Sequence, residues 1–297
     1  MVSEKLTTFL ETPAMAQETK ANSSAQDLPR KQALSYREKN PGNNTLVFFV
    51  HGNSSSANIF NPVFESDLFD NYHLVAVDLP GHGNSPSWDQ SHYSLTAMAY
   101  ELAQLIRNQW PQKPLCMVGF SLGTNIVAEM LAHIKAAGIV LVSPSVLGSE
   151  RGVNDVMNNA INVIPLFSDE TSTTEVRNFF TACSHNAGSD TLDDLVNQHQ
   201  KTAAGFRPGF IHSVMQGDFS DEIQLLKQSG LPILVIFGKQ DSFSMIHYLD
   251  EIGLNVWRNE IQLIDDCGHF IPAESPEALI KLLHDYLHHQ FRDNHAC

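Results

Sequence analysis

The sequence is poor in basic residues and contains no long apolar run. Of its 297 residues, 18 are Lys or Arg and 33 are Asp or Glu, which leaves a formal net charge of −15. A field of that sign repels phosphate backbones and anionic lipid surfaces, so we expect no nucleic-acid partner. No stretch of about 18 consecutive apolar residues occurs, so the sequence also predicts no membrane span.

Cysteine is scarce as well. The chain has four cysteines, at Cys116, Cys183, Cys267 and Cys297, and none of them forms a CxxC pair. A chain of this length needs no disulfides to stabilise its core, so we interpret them as free thiols of a reducing compartment. Residues 1–20 lack the apolar core of a secretory signal. Together these features predict a cytoplasmic protein.

Apolar residues make up 42% of the chain and recur in short continuous runs. Each run is followed by turn residues, which is typical of strands buried on both faces of a parallel sheet. The runs lie at 46–50, 74–77, 115–118, 139–142 and 233–237. Amphipathic helical patterns alternate with them, at 95–110, 121–133 and 276–291. This alternation predicts an α/β fold with a mostly parallel central sheet flanked by helices.

The rhythm of strands and helices divides the chain into regions. Residues 1–40 form a polar N-terminal extension, with an early edge strand over 33–39, and residues 41–147 and 222–297 form the α/β core. Residues 148–221 contain no convincing buried strand. There the pattern predicts short helices at 153–164, 174–182, 191–202 and 210–216. We expect this insertion to be a helical cap over the carboxyl ends of the strands, where open α/β sheets bind ligands.

The strongest chemical signal is a G-x-S-x-G motif that spans residues 119–123. It directly follows an apolar strand and opens an amphipathic helix, as in a nucleophile elbow, where a sharp turn exposes a serine hydroxyl. Gly119 and Gly123 leave room for the crowded backbone of such a turn. We therefore predict Ser121 as a nucleophile. The alternative is a serine that only caps the helix after a glycine turn.

A serine nucleophile needs a base and an orienting acid. His269 lies after the last strand-like segment and before the last helix, and Asp241 lies after the preceding strand, in the chain order Ser, Asp, His. We predict that Asp241 orients His269. The competing role for Asp241 is the N-cap of a helix starting near residue 243. Asp265 and Asp266 are the second choice for the acid.

An acyl transfer also needs donors for the oxyanion. The backbone N–H groups of Asn53, in the loop after the first strong strand, and of Leu122, next to the nucleophile, are the predicted donors. The side-chain amide of Asn53 is a further donor, and a plain turn asparagine is the alternative. We expect His51 to brace this loop. The candidates for an apolar acyl pocket are Phe120, Phe179, Phe180 and Phe206, and the alternative for these aromatic residues is the plain core.

Other motifs predict no cofactor. Gly81-His82-Gly83 lacks the third glycine of a dinucleotide fingerprint. His284 and His288 have helical spacing but no HExxH context, so a solvated helix face is preferred to a metal site. We therefore expect neither a metal nor an organic cofactor.

Together these motifs resemble the α/β-hydrolase superfamily over residues 33–297. The matching segments are HGNSSS at 51–56, DLPGHGNS at 78–85, GFSLG at 119–123, GKQD at 238–241 and CGHF at 267–270. The first two are most similar to the α/β-hydrolase type of N-acyl-homoserine lactonase, which opens the lactone ring of quorum-sensing signals. The resemblance implies a triad of Ser121, Asp241 and His269, with Asn53 in the oxyanion loop. This sequence departs from that group in two ways. The acid can be Glu in that group, whereas Asp241 is present here. The cap of that group tends to carry a tyrosine that contacts substrate, and Phe179 lies near the matching place in this chain.

The sequence therefore predicts a serine hydrolase that cleaves a carboxylic ester or lactone through an acyl-enzyme. One alternative is a non-catalytic scaffold of the same fold that binds a small ligand. Another is a cofactor-free haloperoxidase-like or acyltransferase activity. The expected partner is a small molecule, and for the hydrolase it is a neutral ester or lactone.

Overall fold

The computed structural model describes residues 33–291, which form one sheet with helices packed around it. The sheet has seven strands in the order β1-β3-β2-β4-β5-β6-β7. β1 pairs antiparallel with β3, and all the other pairings are parallel. The strands are β1 (Tyr36–Lys39), β2 (Leu46–Val50), β3 (His73–Val77), β4 (Leu115–Phe120), β5 (Gly138–Val142), β6 (Ile233–Gly238) and β7 (Gln262–Ile264). The predicted α/β-hydrolase architecture is confirmed.

The continuous apolar runs form the strands because both faces of the sheet are covered. Every residue of β2 to β6 is buried. β1 lies at one edge, within the segment predicted as an edge strand, so the sheet begins before residue 41, the predicted start of the core. The remainder of the predicted extension, residues 1–32, lies outside the described residues.

The α-helices of the described chain are numbered in order. They are α1 (Asn61–Glu65), α2 (Leu95–Gln109), α3 (Leu122–Met130), α4 (Val153–Val156), α5 (Ile164–Phe167), α6 (Thr173–Cys183), α7 (Ser189–Lys201), α8 (Phe206–Met215), α9 (Glu222–Ser229), α10 (Ile271–Glu274) and α11 (Pro276–Gln290). No helix within residues 33–291 is both long enough and apolar enough to cross a membrane.

The strand order reverses between β2 and β4, and this reversal positions the site. The chain leaves β2 toward β3 and then returns to β4 on the other side of β2, where Val50 pairs with Gly119. In open parallel sheets such a switch point opens a crevice at the carboxyl ends of the strands. The segments that follow β2 and β4 therefore lie side by side above the sheet.

Between β5 and β6 runs a helical insertion, residues 148–221, which contains α4 to α8. The helices predicted at 174–182, 191–202 and 210–216 are present, the last beginning earlier, at Phe206. The single helix predicted over 153–164 is wrong. Instead the chain forms two one-turn helices separated by a bridge residue and a turn, because Met157 pairs with Ser244 in an antiparallel bridge.

Both ends of the insertion are joined to the core at one buried carboxyl group. Glu222 Oε2 accepts hydrogen bonds from the backbone of Leu147 and from the amide of Asn125 on α3, each at 2.7 Å. Burial raises the pKa of Glu222 well above its ordinary value. The chain enters and leaves the insertion at this point, so the base of the insertion is attached to α3, the helix that begins next to Ser121.

Candidate active site

Ser121 stands on a strained turn between β4 and α3. Its φ of 50° and ψ of −121° lie outside the regions that residues other than glycine usually adopt. The backbone holds it there, since its N–H donates to the carbonyl of Val142 at 2.9 Å and its carbonyl accepts from the N–H of Thr124 at 2.8 Å. Strain of this kind persists only where the surroundings over-determine it, and it clusters at functional sites.

The two motif glycines are required by backbone contact. A Cβ on Gly123 would lie 2.1 Å from the carbonyl oxygen of Val50, and one on Gly119 would lie 2.5 Å from that of Gly123. Gly123 thus lets α3 pass directly over the end of β2. The close approach brings Ser121 next to the residues that follow β2.

Ser121, His269 and Asp241 are joined in a line of hydrogen bonds. His269 Nε2 lies 3.0 Å from Ser121 Oγ, and His269 Nδ1 lies 2.8 Å from Asp241 Oδ2. The side chains of His269 and Asp241 are buried. The structure therefore brings together the three residues that the sequence predicted. Ser121 follows β4, Asp241 follows β6 and His269 follows β7.

The two carboxylate oxygens of Asp241 have separate tasks. Oδ2 contacts His269, while Oδ1 accepts the backbone N–H groups of Phe243 and Ser244 at 2.9 and 2.8 Å. No helix begins near residue 243, so the alternative that Asp241 is a helix N-cap is wrong, and Oδ1 instead caps a turn. Because the roles use different oxygens, they do not exclude one another.

The two other aspartates considered for this position point elsewhere. Asp265 pairs with Lys239 at 2.8 Å with its side chain 75% exposed. Asp266 has a side chain 82% exposed, and the ring it approaches is that of His185, at 4.0 Å. Nearness to His269 in the sequence does not bring either carboxylate to its ring.

The loops that carry the acid and the base are joined by backbone contacts and by the side chain of Gln240. The N–H of Gln240 donates to the carbonyl of Cys267 at 3.0 Å, and Gln240 Oε1 accepts the N–H of Cys267 at 3.1 Å. A Cβ on Gly238 would lie 2.1 Å from the carbonyl of Gly268. The N–H of His269 donates to Cys183, at the end of α6.

The segment of residues 51–56, called here the β2 loop, faces Ser121 from the neighbouring strand. Asn53 borders the same cavities as Ser121. Its side chain is occupied, since Nδ2 donates to the carbonyl of Leu166 at 3.0 Å and Oδ1 accepts from Ser54 Oγ at 2.7 Å. Leu122 lies in the first turn of α3, where backbone N–H groups have no partner within the helix.

Ser54 has a left-handed backbone, with φ of 56°. A left-handed residue other than glycine costs roughly 1–2 kcal/mol, so the conformation needs outside support. His82 Nε2 accepts the N–H of Ser54 at 3.2 Å, and Arg207 Nε donates to its hydroxyl at 3.1 Å. Ser54 is therefore held from the core on one side and from α8 on the other.

Histidines and an aspartate brace the base of the β2 loop. His51 Nε2 accepts the N–H of Leu79 at 3.0 Å, and burial lowers the pKa of His51 to about 4. Burial also lowers the pKa of His82, well below its ordinary value. Asp78 accepts the N–H groups of Ala57 and Asn84, each at 2.9 Å. The expectation that His51 braces the loop is confirmed, and it does so as a neutral ring.

Two cavities meet at Ser121. The larger, about 680 Å³ including its open mouth, is almost entirely apolar and lies between α3 and the insertion. It is lined by residues such as Leu95, Leu122, Leu147, Val156, Phe167 and Phe210. The smaller, about 400 Å³, lies on the His269 side.

The predicted pocket phenylalanines separate into two groups. Phe120, Phe179 and Phe180 line the smaller cavity together with Phe270. Phe206 lines neither of these cavities and instead packs edge-on against His82 at 4.3 Å, behind the β2 loop. Phe206 as a pocket residue is therefore wrong, because its helix presents it to the core and not to Ser121.

Several residues in contact with the site were not singled out by the sequence. Ser244 Oγ lies 3.2 Å from His269 Nδ1, beside the carboxylate of Asp241. Ser54 and Arg207 support Asn53. A polar residue two or three positions after the acid is a weak signal for Ser244, but no pattern in the sequence links Arg207 to a loop that lies 153 residues earlier.

The histidine pair on α11 is not part of a metal-binding cluster among the described residues. The rings of His284 and His288 stack at 6.1 Å, and within residues 33–291 no cluster of three or more His, Cys, Asp or Glu residues could hold a metal ion. The described cysteines Cys116, Cys183 and Cys267 are free and buried. Cys297 lies outside the described residues.

Comparisons with known proteins agree with this fold. A model of the alpha/beta hydrolase family matches residues 47–282. A monoacylglycerol lipase of Bos taurus is 24% identical over 260 residues, which cover 83% of this chain and 76% of that lipase.

Solved structures of the same fold superpose over most of the chain. An N-acyl homoserine lactonase complexed with N-butanoyl homoserine has a TM-score of 0.78 at 22% identity, covering 89% of this chain and 96% of that one. An esterase from Exiguobacterium antarcticum has a TM-score of 0.69 at 17% identity, covering 86% of this chain and 95% of that one. These likenesses show the fold, and the family match extends over most of the chain. The chain belongs to the alpha/beta hydrolase family.

Proposed function

We propose that this protein hydrolyses carboxylic esters through a covalent acyl-enzyme formed on Ser121. The observation that carries the proposal is the line of hydrogen bonds in which a buried His269 contacts both Ser121 Oγ and Asp241 Oδ2. A serine hydroxyl is a weak nucleophile at neutral pH and is activated by a base that a third group orients. This arrangement supports nucleophilic acyl transfer.

In the proposed first half-reaction, Ser121 Oγ attacks the ester carbonyl carbon while its proton passes to His269 Nε2. The carbonyl oxygen becomes an oxyanion that accepts hydrogen bonds from the backbone N–H groups of Asn53 and Leu122. The C–O bond to the alcohol then breaks, and His269 returns its proton to the leaving oxygen. Asp241 keeps the imidazole in the required tautomer and stabilises its charged form.

In the second half-reaction, water replaces the alcohol. His269 takes a proton from the water, whose oxygen attacks the acyl carbon of the acyl-enzyme. The bond to Ser121 Oγ breaks as His269 returns the proton to it, and the carboxylic acid leaves. No step in this sequence uses a metal or an organic cofactor.

The two cavities suggest how an ester would be oriented. Because His269 protonates the leaving oxygen, the alcohol belongs in the smaller cavity, which His269 lines. The acyl chain then belongs in the larger cavity, where Leu122 lies beside Ser121. Apolar walls on both sides favour an uncharged substrate.

The proposal is tested with a p-nitrophenyl ester and a fluorophosphonate probe that labels activated serines. We expect the wild type to turn over the ester and to be labelled, and Ser121→Ala to do neither while keeping its circular dichroism spectrum. Undiminished turnover by Ser121→Ala would overturn the assignment. Absence of labelling in the wild type would favour the alternative of a non-catalytic scaffold that binds a small ligand.

A lactone is the second candidate substrate. Two observations favour it: the fold covers nearly all of an N-acyl homoserine lactonase, and an extended apolar cavity opens beside Ser121. In a lactone the leaving oxygen stays tethered to the acyl group, so ring opening would follow the same steps. If this candidate is correct, the protein quenches quorum-sensing signals.

A substrate panel separates these candidates. N-acyl homoserine lactones, monoacylglycerols and p-nitrophenyl esters of matched chain length are compared by kcat/KM. A preference for the lactones by tenfold or more supports lactonase activity, and a preference for linear esters refutes it. Product analysis with and without an alcohol acceptor, and with halide and peroxide, tests the acyltransferase and haloperoxidase-like alternatives.

A further inference from the structure

Arg207 is a buried cation in the insertion that reaches the β2 loop. It lies on α8, is only 4% exposed, and donates to three acceptors. These are the hydroxyl of Ser54 at 3.1 Å, the carboxylate of Asp169 at 3.0 Å and the carbonyl of His199. A buried charge is costly unless its hydrogen bonds are satisfied, so its position is held tightly by these partners.

The contact of Arg207 with Ser54 continues to Asn53. The Ser54 hydroxyl donates to Asn53 Oδ1, and Asn53 Nδ2 donates to the carbonyl of Leu166 on α5. The chain of hydrogen bonds therefore runs from the insertion to the β2 loop and back to the insertion. Because Ser54 is the next residue in the chain after Asn53 and its hydroxyl contacts both Arg207 and the Asn53 side chain, a shift of Arg207 would move the Asn53 backbone as well as its side chain.

A second connection holds the same loop from α7. The hydroxyls of Ser55 and Ser56 both donate to Gln198 Oε1, each at 3.1 Å. By contrast, the bond that the core makes to Ser54 is the one from its N–H to His82. With its left-handed backbone, Ser54 depends on partners from both sides.

We propose that Arg207 is a positioning residue that couples the insertion to the oxyanion donors, by holding Ser54 and through it the backbone N–H of Asn53. The proposal rests on the proposed function, since it assigns the Asn53 N–H to the oxyanion. With the insertion displaced, Ser54 loses Arg207 and Asn53 loses Leu166. The site is then complete only when the insertion is seated.

Arg207→Lys is the principal test, because lysine keeps the positive charge near Asp169 but cannot reproduce the fork that reaches three acceptors. We expect kcat on a p-nitrophenyl ester to fall at least tenfold while KM changes by less than about twofold, since the loss falls on transition-state stabilisation. Fluorophosphonate labelling of Ser121 should slow in parallel. The matched control is Arg177→Lys, in an ion pair with Asp193 that lies within the insertion, and it should keep wild-type kcat.

Ser54→Ala keeps the proposal falsifiable if Arg207→Lys does not fold. It removes the hydroxyl that joins Arg207 to Asn53, so kcat should again fall at least tenfold. In the double variant the losses should not multiply, because both changes break one chain of contacts. A purely structural role would lower the melting temperature and leave kcat of the folded protein unchanged.

The outcomes separate this proposal from the proposed function. Full kcat in folded Arg207→Lys or in Ser54→Ala, or multiplicative losses in the double variant, overturns the positioning role while the hydrolase assignment stands. Failure of the wild type to show Ser121-dependent turnover or labelling overturns both.

Discussion

The two sides of the candidate site are held in place by different means. On one side, Ser121, Asp241 and His269 follow parallel strands and are positioned by backbone contacts, such as the Ser121 N–H to the Val142 carbonyl. On the other side, the β2 loop is held largely by side chains. His82, Arg207 and Gln198 supply those contacts, and Asp78 holds Ala57, the residue that follows the loop.

The difference shows what each side depends on. A backbone ladder is cooperative and tolerates many side chains, so the first side depends on the sheet as a whole. A network of side-chain hydrogen bonds depends on each member, because a lost partner leaves a buried polar group unsatisfied. The β2 loop is therefore the side on which distant substitutions should alter catalysis.

The largest effect should be on kcat, from a substitution on the first side. Asp241→Asn removes the charge that stabilises the imidazolium and disturbs the tautomer of His269, so we expect kcat to fall by about 10⁴. Steady-state turnover of a p-nitrophenyl ester measures it. Asp265→Asn and Asp266→Asn are matched controls with exposed side chains and should stay within about twofold of the wild type. A loss of similar size in either control would reassign the acid.

The next largest effect should be on the free energy of unfolding, and it tests how closely the backbones on the first side pack. Gly123→Ala places a Cβ 2.1 Å from the carbonyl oxygen of Val50, so we expect the free energy of unfolding to fall by about 3 kcal/mol or more. Urea denaturation measures this change. The control is Gly188→Ala in the insertion, where φ is −69° and no atom lies within 4 Å of the added Cβ. Its cost should be below about 1 kcal/mol, and equal losses in the two variants would contradict the packing argument.

On the second side, His199 should make the free energy of unfolding depend on pH. Burial, aided by the charge of Arg207, lowers the pKa of His199 to about 4. Between this value and the ordinary 6.5, the unfolded chain binds a proton at His199 that the folded protein does not bind. His199 therefore does not lower the free energy of unfolding above pH 6.5, and it lowers it increasingly as pH falls toward 4. His199→Gln removes this pH dependence and keeps the backbone carbonyl at position 199, which Arg207 contacts.

From pH 7.5 to 5.5 the free energy of unfolding should therefore fall by about 1 kcal/mol less in His199→Gln than in the wild type. Urea denaturation at a series of pH values measures both slopes. Parallel curves for the two proteins over this range would show that His199 does not contribute.

The smallest effect concerns the pocket. Phe179→Leu alters the smaller cavity, so kcat/KM should shift by a few-fold to about tenfold between esters of small and large alcohols. Phe206→Leu is the matched control, because Phe206 packs behind the β2 loop. It should lower stability without changing the preference among alcohols. The same shift in both variants would argue against a leaving-group pocket on the His269 side.

Much of the first side was predictable because strand ends are visible in the sequence. Apolar runs that stop at turn residues locate β2 to β6, and the order of Ser121, Asp241 and His269 along those ends identifies the line of contacts. Helix boundaries in the insertion were harder. The pattern over 153–164 is apolar enough for one helix, but the bridge from Met157 to Ser244, a tertiary contact, interrupts it.

The second side was predictable only in part. The position of Asn53 after β2 indicates a loop near the nucleophile, but not that its amide is engaged by Leu166, 113 residues away. Phe206 and Phe179 both lie on helices of the insertion, yet one packs behind the loop and the other lines a cavity. Which face a helix presents is decided by what packs against it.

By itself, the sequence determined the α/β class, the strand ends and the residues able to act as nucleophile, base and acid, because those depend on local patterning and chain order. Its low content of basic residues predicts, on electrostatic grounds, that it has no polyanionic partner. The tertiary structure alone decided where the phenylalanines point and that Arg207 supports Ser54. Those outcomes depend on distances between residues far apart in the chain, which a linear pattern does not contain.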